Sequence, residues 1–160
     1  MARTSFDDAN CAIAQSLDLL GDAWTLLIVR NAFFGMRRFA DFERDLGISK
    51  NVLSQRLQRL VDHEVLERVD MGEHGERFEY TLTDKGEDLL PVLTTLREWG
   101  DRWVFGPGNE PLIVRERKTG RRIPRTAPRD ADGKRLSRRD LRTEAGPGAD
   151  ARTRATFRPR

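Results

Sequence analysis

The sequence FADFERDLGISKNVLSQRLQRL occupies residues 39–60 and contains two helical patterns separated by a turn. Apolar residues recur every three or four positions in Phe39–Leu46, which predicts a short helix with one buried face. Gly47 interrupts this pattern, and Ser49 is a residue type that caps helix N-termini. We therefore expect a helix, a tight turn and a second helix that begins after Ser49.

Two further helices are predicted ahead of this segment. Asn10 has the chemistry of an N-cap and precedes an amphipathic pattern over Cys11–Leu20. Asp22 is placed to cap the next helix, over Ala23–Phe34. Because that segment is apolar on nearly every side, we expect it to be a buried core helix.

Two strands and a long helix are predicted after the helical pair. Val65–Val69 and Arg77–Leu82 have the composition and alternation of β-strands joined by a loop. Thr83 can cap a long helix that continues to Trp103, with a bend at Pro91. Helix, short helix, turn, helix, hairpin and helix is the element order of a winged helix-turn-helix. The predicted fold class is therefore mainly α with a small β-hairpin, which is the wing.

Charge is distributed unevenly along the 160 residues. Residues 1–103 contain 13 Lys and Arg against 19 Asp and Glu, whereas residues 104–160 contain 16 against 7, so the net charges are −6 and +9. The second part is rich in Pro, Gly and Arg and has too few apolar residues to build its own core. We expect a flexible N-terminus over residues 1–9, the winged helix-turn-helix domain over residues 10–105, and a basic, partly disordered extension over residues 106–160.

Local patterns are present within this basic extension. Pro111–Arg115 is apolar enough for a short strand, and Asp132-Gly133 is a hairpin-type turn. Disorder is expected beyond about Arg142. The arginines form either a solvated basic segment or a sequence-independent contact to DNA phosphates.

Several function classes are excluded by composition. One Cys and two His cannot form an internal disulfide or a Cys-cluster zinc site, so no metal and no cofactor are expected. No apolar segment approaches the roughly 20 residues that cross a bilayer, and the first ten residues have no secretory pattern. The sequence also lacks a Gly-rich phosphate loop, an HExxH motif and a GxSxG motif. We therefore expect a cytoplasmic protein that makes no membrane contact and is not an enzyme.

The helix predicted after Ser49 has a polar side opposite its apolar stripe. On a helical wheel Leu53, Leu57 and Leu60 share one side, and amide, hydroxyl and guanidinium groups occupy the other. Such groups bind base edges in the major groove, while nearby cations bind phosphate or enter a minor groove from the wing. The expected partner is double-stranded DNA. The candidate DNA-binding residues are Arg37, Arg38, Ser49, Lys50, Asn51, Ser54, Gln55, Gln58, Arg59, Arg68 and Arg77.

Two function classes stay open, because a polar face opposite an apolar stripe is found on any surface helix. One is a sequence-specific DNA-binding regulator. The alternative is a winged-helix protein-interaction module without base-specific DNA binding, in which the polar face docks a protein. The negative charge of residues 1–103 counts against DNA binding and makes it depend on local clusters of cations or on the basic extension.

The order of motifs over residues 11–103 resembles the HxlR-type winged helix-turn-helix transcriptional regulators, part of the MarR-like group. The matching segments are CAIA at 11–14, LDLLGDAWTLLIVR at 17–30, RFADF at 38–42, ISKNVLSQRL at 48–57, YTLTDKG at 80–86 and LLPVL at 89–93. The resemblance implies a bacterial transcription factor, a repressor or dual regulator, that binds an inverted-repeat operator as a homodimer.

The resemblance also implies that the first and last helices are flanking dimerisation helices. Two symmetric recognition helices would then contact half-sites about one turn of DNA apart. Packing within one chain is the alternative use of the same apolar stripes. The candidate dimer-interface residues are Ile13, Leu17, Leu89, Leu93, Leu96 and Trp99.

The single cysteine, Cys11, has two interpretations. It resembles the N-terminal cysteine of HxlR-type members that sense oxidants, quinones or aldehydes, and a helix N-terminus stabilises a thiolate. It is therefore a redox-sensing candidate, with a small molecule or a reactive electrophile as the effector. The alternative is a small buried hydrophobic residue with no thiol chemistry.

Overall fold

The computed structural model describes residues 5–72 and 78–158, and the chain divides into two units, residues 1–93 and residues 94–160. The first unit begins with four helices and continues with an antiparallel hairpin, so the predicted fold class is confirmed. Its elements are α1 (Ala12–Leu20), α2 (Ala23–Phe33), α3 (Phe39–Leu46), α4 (Lys50–Asp62), β1 (Leu66–Asp70), β2 (Phe78–Leu82) and α5 (Asp84–Glu87).

Three of the four predicted helix caps are confirmed and one is wrong. The Thr83 hydroxyl accepts a hydrogen bond from the Gly86 N–H at 3.1 Å and caps α5. The Asp22 carboxylate accepts a hydrogen bond from the Trp24 N–H at 3.0 Å, and the Ser49 hydroxyl accepts one from Val52 at 3.4 Å. Asn10 was expected to cap α1, but Cys11 occupies the N-cap position. The Cys11 N–H donates to the carbonyl of Ala9 at 2.8 Å, and this tight turn moves the helix start by one residue.

The turn between α3 and α4 depends on Gly47, whose φ of 62° lies in the left-handed region. Ile48 follows it and is buried, so the turn is anchored in the core. One face of α4 supplies the centre of this core, as the apolar stripe predicted. The buried hydrophobic residues are Ile28, Val29, Phe42, Ile48, Leu53, Leu57, Leu60, Val65 and Leu66.

Strands β1 and β2 form the wing, with Leu66 opposite Leu82 and Asp70 opposite Phe78. The first strand begins one residue later than predicted. Arg77, expected to begin the second strand and to contact DNA, lies outside the described residues.

The segment before α3 also pairs with the wing. The Tyr80 N–H donates to the Arg37 carbonyl at 2.8 Å, and Arg38 forms a β-bridge with Glu79. These contacts fix the backbone of both arginines beside β2.

The prediction of one continuous helix from Thr83 to Trp103 is wrong, because the structure divides this segment into separate helices. After α5 the chain forms α6 (Leu90–Gly100) and then one π-helical turn, Asp101–Phe105. Pro91 explains the break, because it has no N–H to donate to the carbonyl four residues earlier and its ring clashes with that carbonyl. The division into two units falls within α6.

The second unit is mostly irregular beyond the π-helical turn. The prediction of a strand at Pro111–Arg115 is wrong. Arg115 forms an isolated bridge with Arg122, and the Ile123 N–H donates to the Val114 carbonyl at 3.3 Å, but this pairing is too short to form a strand. The turn predicted at Asp132-Gly133 is confirmed by the Gly133 φ of 80°. The remaining elements are a bridge between Arg129 and Arg135, a short 3-10 helix, Arg138–Asp140, and α7 (Ala151–Thr156). Disorder beyond about residue 142 stays a prediction.

Within the described residues, no single helix has the length and apolar composition to cross a membrane. The α1 and α2 helices pass that test only as a pair, and they are bent by 80° relative to each other.

Candidate nucleic-acid interface

The α4 helix has one fully buried face and one exposed polar face. Leu53, Leu57 and Leu60 have no exposed surface, and their packing holds the helix in a fixed rotation about its axis. The opposite face consists of exposed side chains with amide and hydroxyl groups, as predicted. The residues of this polar face are Asn51, Ser54, Gln55 and Gln58.

The amides of the polar face are arranged in rows along the helix. Gln55 donates from Nε2 to the Asn51 Oδ1 at 3.4 Å, and Gln58 donates from Nε2 to the Asp62 Oδ1 at 2.7 Å. Both pairs are four residues apart, which places them on neighbouring turns of one face. An Asn or Gln amide can form two hydrogen bonds with adenine. Asn51, Gln55 and Gln58 can therefore exchange the hydrogen bonds described above for contacts to bases.

The beginning of α4 presents a second kind of group. Ser49 and Lys50 are exposed at the N-terminus, where the first N–H groups of a helix have no partner within it. An ammonium group beside such N–H groups is a common phosphate-binding arrangement. These two residues are suited to position the helix on a DNA backbone.

Arg56 and Arg59 differ from the rest of the helix because they are half-buried. Arg56 forms an ion pair with Asp22 at 2.9 Å, and Arg59 donates from Nη2 to the Asp18 carbonyl at 2.5 Å. Both side chains therefore bind α4 to the corner between α1 and α2. Arg59 was expected to contact DNA, and that role requires it to leave the Asp18 carbonyl; it stays a prediction.

The Asp22 carboxylate is held in its charged form by this corner. Burial acts to raise the pKa of Asp22, but the hydrogen bond and charge of Arg56 and the N–H groups of Trp24 and Thr25 outweigh it. The pKa of Asp22 is therefore lowered. Arg56 was not predicted to have a role. Its position beside the apolar stripe of α4, instead of opposite it, was the only feature of the sequence that indicated a contact within the protein.

Three of the other expected cations lie on or beside the wing. Arg37 and Arg38 share the Glu79 carboxylate, at 4.0 Å and 3.4 Å, and their side chains are 61% and 72% exposed. Two guanidinium groups on one carboxylate leave a net positive charge exposed. Arg68 on β1 is exposed and lies with its guanidinium carbon 4.3 Å from the centre of the Phe78 ring.

The expected dimer residues differ in exposure. In the first unit, Ile13 and Leu17 are 72% and 49% exposed, whereas Leu89 and Leu93 pack against the core. In the second unit, Leu96 and Trp99 are exposed. The intrachain packing of the two half-buried leucines accounts for part of the predicted stripe.

The thiol of Cys11 is free and exposed at the start of α1, so the interpretation as a buried hydrophobic residue does not describe it. No cluster of His, Cys, Asp and Glu suited to a metal ion occurs among residues 5–72 and 78–158.

Comparison with known proteins gives one family and several relatives. A family model described as HxlR-like helix-turn-helix matches residues 19–106. Rv3095 of Mycobacterium tuberculosis, an uncharacterized HTH-type transcriptional regulator, is 37% identical over 141 residues, which are 88% of this chain and 89% of the relative.

Two solved structures extend the comparison to the fold. PA1607, a candidate transcription factor, has a TM-score of 0.82 at 42% identity, and the match covers 89% of this chain and all of that chain. The reduced form of the transcriptional regulator YodB of Bacillus subtilis has a TM-score of 0.52 at 33% identity and covers 58% of this chain and 93% of its own.

Proposed function

This chain belongs to the family of HxlR-like helix-turn-helix transcriptional regulators, and we propose that it binds an inverted-repeat operator as a homodimer. Its relatives are transcriptional regulators, which confirms the prediction that it is not an enzyme, and its partner is DNA. The observation that supports binding to an operator is the row of exposed amides on α4, whose opposite face is buried.

In the proposed complex the polar face of α4 lies in the major groove. Asn51, Ser54, Gln55 and Gln58 contact base edges, because their amide and hydroxyl groups match the donors and acceptors presented there. Ser49 and Lys50 contact phosphate at the helix N-terminus.

Around the recognition helix, Arg37 and Arg38 contact the DNA backbone beside the wing, and Arg68 on β1 contacts the minor groove. Arg77 is proposed for the same groove from the sequence alone. Arg59 joins the base contacts only if it exchanges the Asp18 carbonyl for DNA.

Dimer formation is supported by the exposed apolar side chains of the flanking helices. Ile13 and Leu17 on α1, and Leu96 and Trp99 on α6, expose large hydrophobic surfaces that a second copy can cover. A two-fold axis would place two α4 helices on two half-sites. Light scattering should give twice the 18.4 kDa chain mass, and Leu96→Glu should lower it to one chain mass while far-UV circular dichroism is unchanged.

Base readout is tested by fluorescence anisotropy with fragments from the region upstream of the protein's own gene. We expect Gln55→Ala to weaken operator binding by about 5- to 150-fold, the loss of one good base contact, and to leave binding to a scrambled duplex unchanged. Gln15→Ala, an exposed glutamine on α1, is the control and should change neither. If Gln55→Ala changes neither duplex, or if no fragment is preferred by the wild type, the protein-interaction module becomes the better interpretation.

Control by a thiol signal is the second part of the proposal, and a small-molecule effector is its alternative. The exposed thiol of Cys11 supports it, and so does the similarity to YodB, which has been solved in reduced and diamide-treated forms. Two Cys11 thiols, one from each protomer, would lose two electrons and two protons to diamide, which becomes the hydrazine as one S–S bond forms.

The thiol control is tested with Cys11→Ser. Diamide should lower the operator affinity of the wild type and produce a dimer that survives non-reducing gel electrophoresis, and the Cys11→Ser protein should show neither effect. An operator affinity of the wild type that is unchanged by diamide would reject control by a thiol, but it would leave the proposal of a DNA-binding regulator intact.

A further inference from the structure

The second unit contains two turns that are each closed by a pair of opposed arginines, and we name them the arginine turns. The first spans residues 115–122, with Arg115 bridged to Arg122, and the second spans residues 129–135, with Arg129 bridged to Arg135. Like charges directly opposite each other in an antiparallel pair are destabilising. A turn that concentrates them therefore gains from an anionic partner.

The backbone of the first arginine turn is fixed by its own hydrogen bonds. The Glu116 N–H donates to the Arg121 carbonyl at 2.9 Å, and the Gly120 N–H donates to the Glu116 carbonyl at 2.8 Å. Arg115 donates from Nη1 to the Gly120 carbonyl at 3.0 Å, and the Glu116 carboxylate accepts from the Thr119 hydroxyl. The nearest acid is thus turned toward a hydroxyl instead of a cation.

Three cations between the two bridged arginines of this turn have no side-chain partner among the described residues. Arg117, Lys118 and Arg121 are exposed, and their side chains form no ion pair or hydrogen bond within the part of the chain that the structure describes. By contrast, Arg122 at the base of the turn is paired with Glu110 at 2.9 Å. The first arginine turn therefore presents three charged groups that are in contact with solvent.

The second arginine turn is built in the same way. Arg129 donates from Nη1 to the Gly133 carbonyl at 2.6 Å, and the Asp130 carboxylate accepts from the N–H groups of Asp132 and Lys134. The acid again stabilises the backbone and leaves the side chain of Arg135 exposed. Two further exposed guanidinium groups follow on the 3-10 helix, at Arg138 and Arg139.

Composition indicates the chemistry of the anion. Residues 104–160 contain 14 Arg and 2 Lys, and guanidinium groups match phosphate oxygens in a bidentate geometry that ammonium groups lack. Residues 1–93 contain 11 Lys and Arg against 17 Asp and Glu, so the unit with the recognition helix carries a net charge of −6. The net charge of residues 1–93 therefore gives no long-range attraction to DNA, whereas residues 104–160 carry a net charge of +9.

From the exposed cations of the arginine turns and the arginine-rich composition around them, we infer that these turns are a second DNA-binding site. This site contacts the phosphate backbone of duplex DNA without regard to sequence. The inference rests on the proposed function, because α4 brings the DNA to the same molecule and tethering raises the local concentration of phosphate around the turns.

The test uses the full-length protein with Arg117→Gln, Lys118→Gln and Arg121→Gln combined. Anisotropy titrations of an operator duplex and a scrambled duplex are run from 50 to 300 mM salt. We expect the slope of log affinity against log salt to fall by about 2 to 3 for each protomer, and both affinities to fall about tenfold or more at 100 mM. The specificity ratio between the two duplexes should stay the same.

A matched control removes three charges outside the turns, through Lys85→Gln, Arg142→Gln and Arg158→Gln. Its salt slope should change by less than about 1, because the loss of net charge alone removes no phosphate contact. Thermal melts of both triple variants should coincide with the wild type, since all six side chains are exposed.

The possible outcomes separate the two proposals. A triple variant of the first turn that binds both duplexes like the wild type at every salt concentration, or that loses only operator binding, overturns the second site. A wild type that binds scrambled and operator duplexes equally, with the salt slope reduced in the triple variant, supports the second site and rejects the operator. Loss confined to Gln55→Ala supports the operator alone.

Discussion

The two units of this chain differ in what holds their backbones in place. In the first, nine hydrophobic residues between Ile28 and Leu66 are buried, and helices, turn and wing all contribute to that one cluster. In the second, Asp101 is the one buried residue among those described, and the turns beyond it are held by local hydrogen bonds of the backbone and of nearby side chains.

This difference determines how each unit responds to substitution. Buried apolar area stabilises by about 25 cal/mol per Å² and is shared by distant parts of the chain, so its loss is felt by the whole unit. A turn held by its own hydrogen bonds changes only locally when one group is altered. Matched substitutions in the two units should therefore separate global from local effects.

The largest difference is expected for a leucine in each unit. Leu57→Ala removes a side chain with no exposed surface and should lower the free energy of unfolding by about 2–5 kcal/mol, the cost of lost burial plus a cavity. Leu141→Ala removes a side chain that is 53% exposed and should change it by less than about 0.5 kcal/mol. Urea denaturation followed by circular dichroism measures both, and equal effects would mean that the second unit has a core after all.

Buried polar groups should show the same contrast at a smaller scale. Asn31 is fully buried, donates to the Asp45 carboxylate at 2.7 Å and accepts two hydrogen bonds from Arg30. Asn31→Ala should cost about 1–3 kcal/mol, because it removes three hydrogen bonds and a side chain that is fully buried. Glu144→Ala removes the partner of Arg142 from an exposed ion pair and should cost at most about 1 kcal/mol. A larger loss from Glu144→Ala in the same urea titration would contradict the comparison.

The same contrast explains which elements could be predicted from the sequence. The α3 helix, the turn at Gly47 and the buried face of α4 follow from local spacing and capping chemistry, and their predictions are confirmed. The wing was predicted to within one residue at β1 for the same reason.

Predictions failed where a contact or an interruption outweighed the local pattern. Periodicity alone favoured a long helix up to Trp103, but Pro91 divides it. Pro111–Arg115 has strand composition, but its pairing is limited to an isolated bridge at Arg115 and one hydrogen bond at Val114.

The residues of the candidate DNA interface could also be predicted only in part, where local spacing decides their position. The exposed amides of α4 follow from the helical wheel, whereas the partner of Arg59 does not, because the Asp18 carbonyl is 41 residues away in sequence. A wheel identifies which face of a helix is polar, but it cannot distinguish an arginine available to DNA from one that binds a neighbouring helix.

A glycine in each unit allows the cost of a strained backbone conformation to be compared between the two units. Gly47 has φ 62° and Gly133 has φ 80°, and a Cβ at either position would have no heavy atom within 4 Å. Alanine there carries only the conformational cost of the left-handed region, about 1–2 kcal/mol. Gly47→Ala should lower the global free energy of unfolding by that amount, because its turn is part of the core. Gly133→Ala should leave it unchanged and increase only the amide hydrogen exchange of residues 129–135.

The smallest effect is expected at Asp22, where it depends on pH. Asp22→Asn keeps a capping oxygen but removes the charge that pairs with Arg56, and should cost about 0.2–1 kcal/mol at pH 7, the contribution of a partly exposed ion pair. Because the pKa of Asp22 is lowered in the folded state, its contribution is complete above the unfolded value, about 3.9, and is lost as the pH falls through the folded value.

The difference between wild type and Asp22→Asn should therefore be constant from pH 7 to about pH 5 and shrink below about pH 4, as measured by urea denaturation at each pH. A difference that persists unchanged at pH 2 would show that the substitution weakens the cap itself and that the ion pair with Arg56 contributes nothing. Asp150→Asn, at the exposed cap of α7, is the control from the second unit. The pKa of Asp150 is also lowered, by hydrogen bonds from Thr153, but because α7 contributes no buried residue, the substitution should leave the global transition unchanged at every pH.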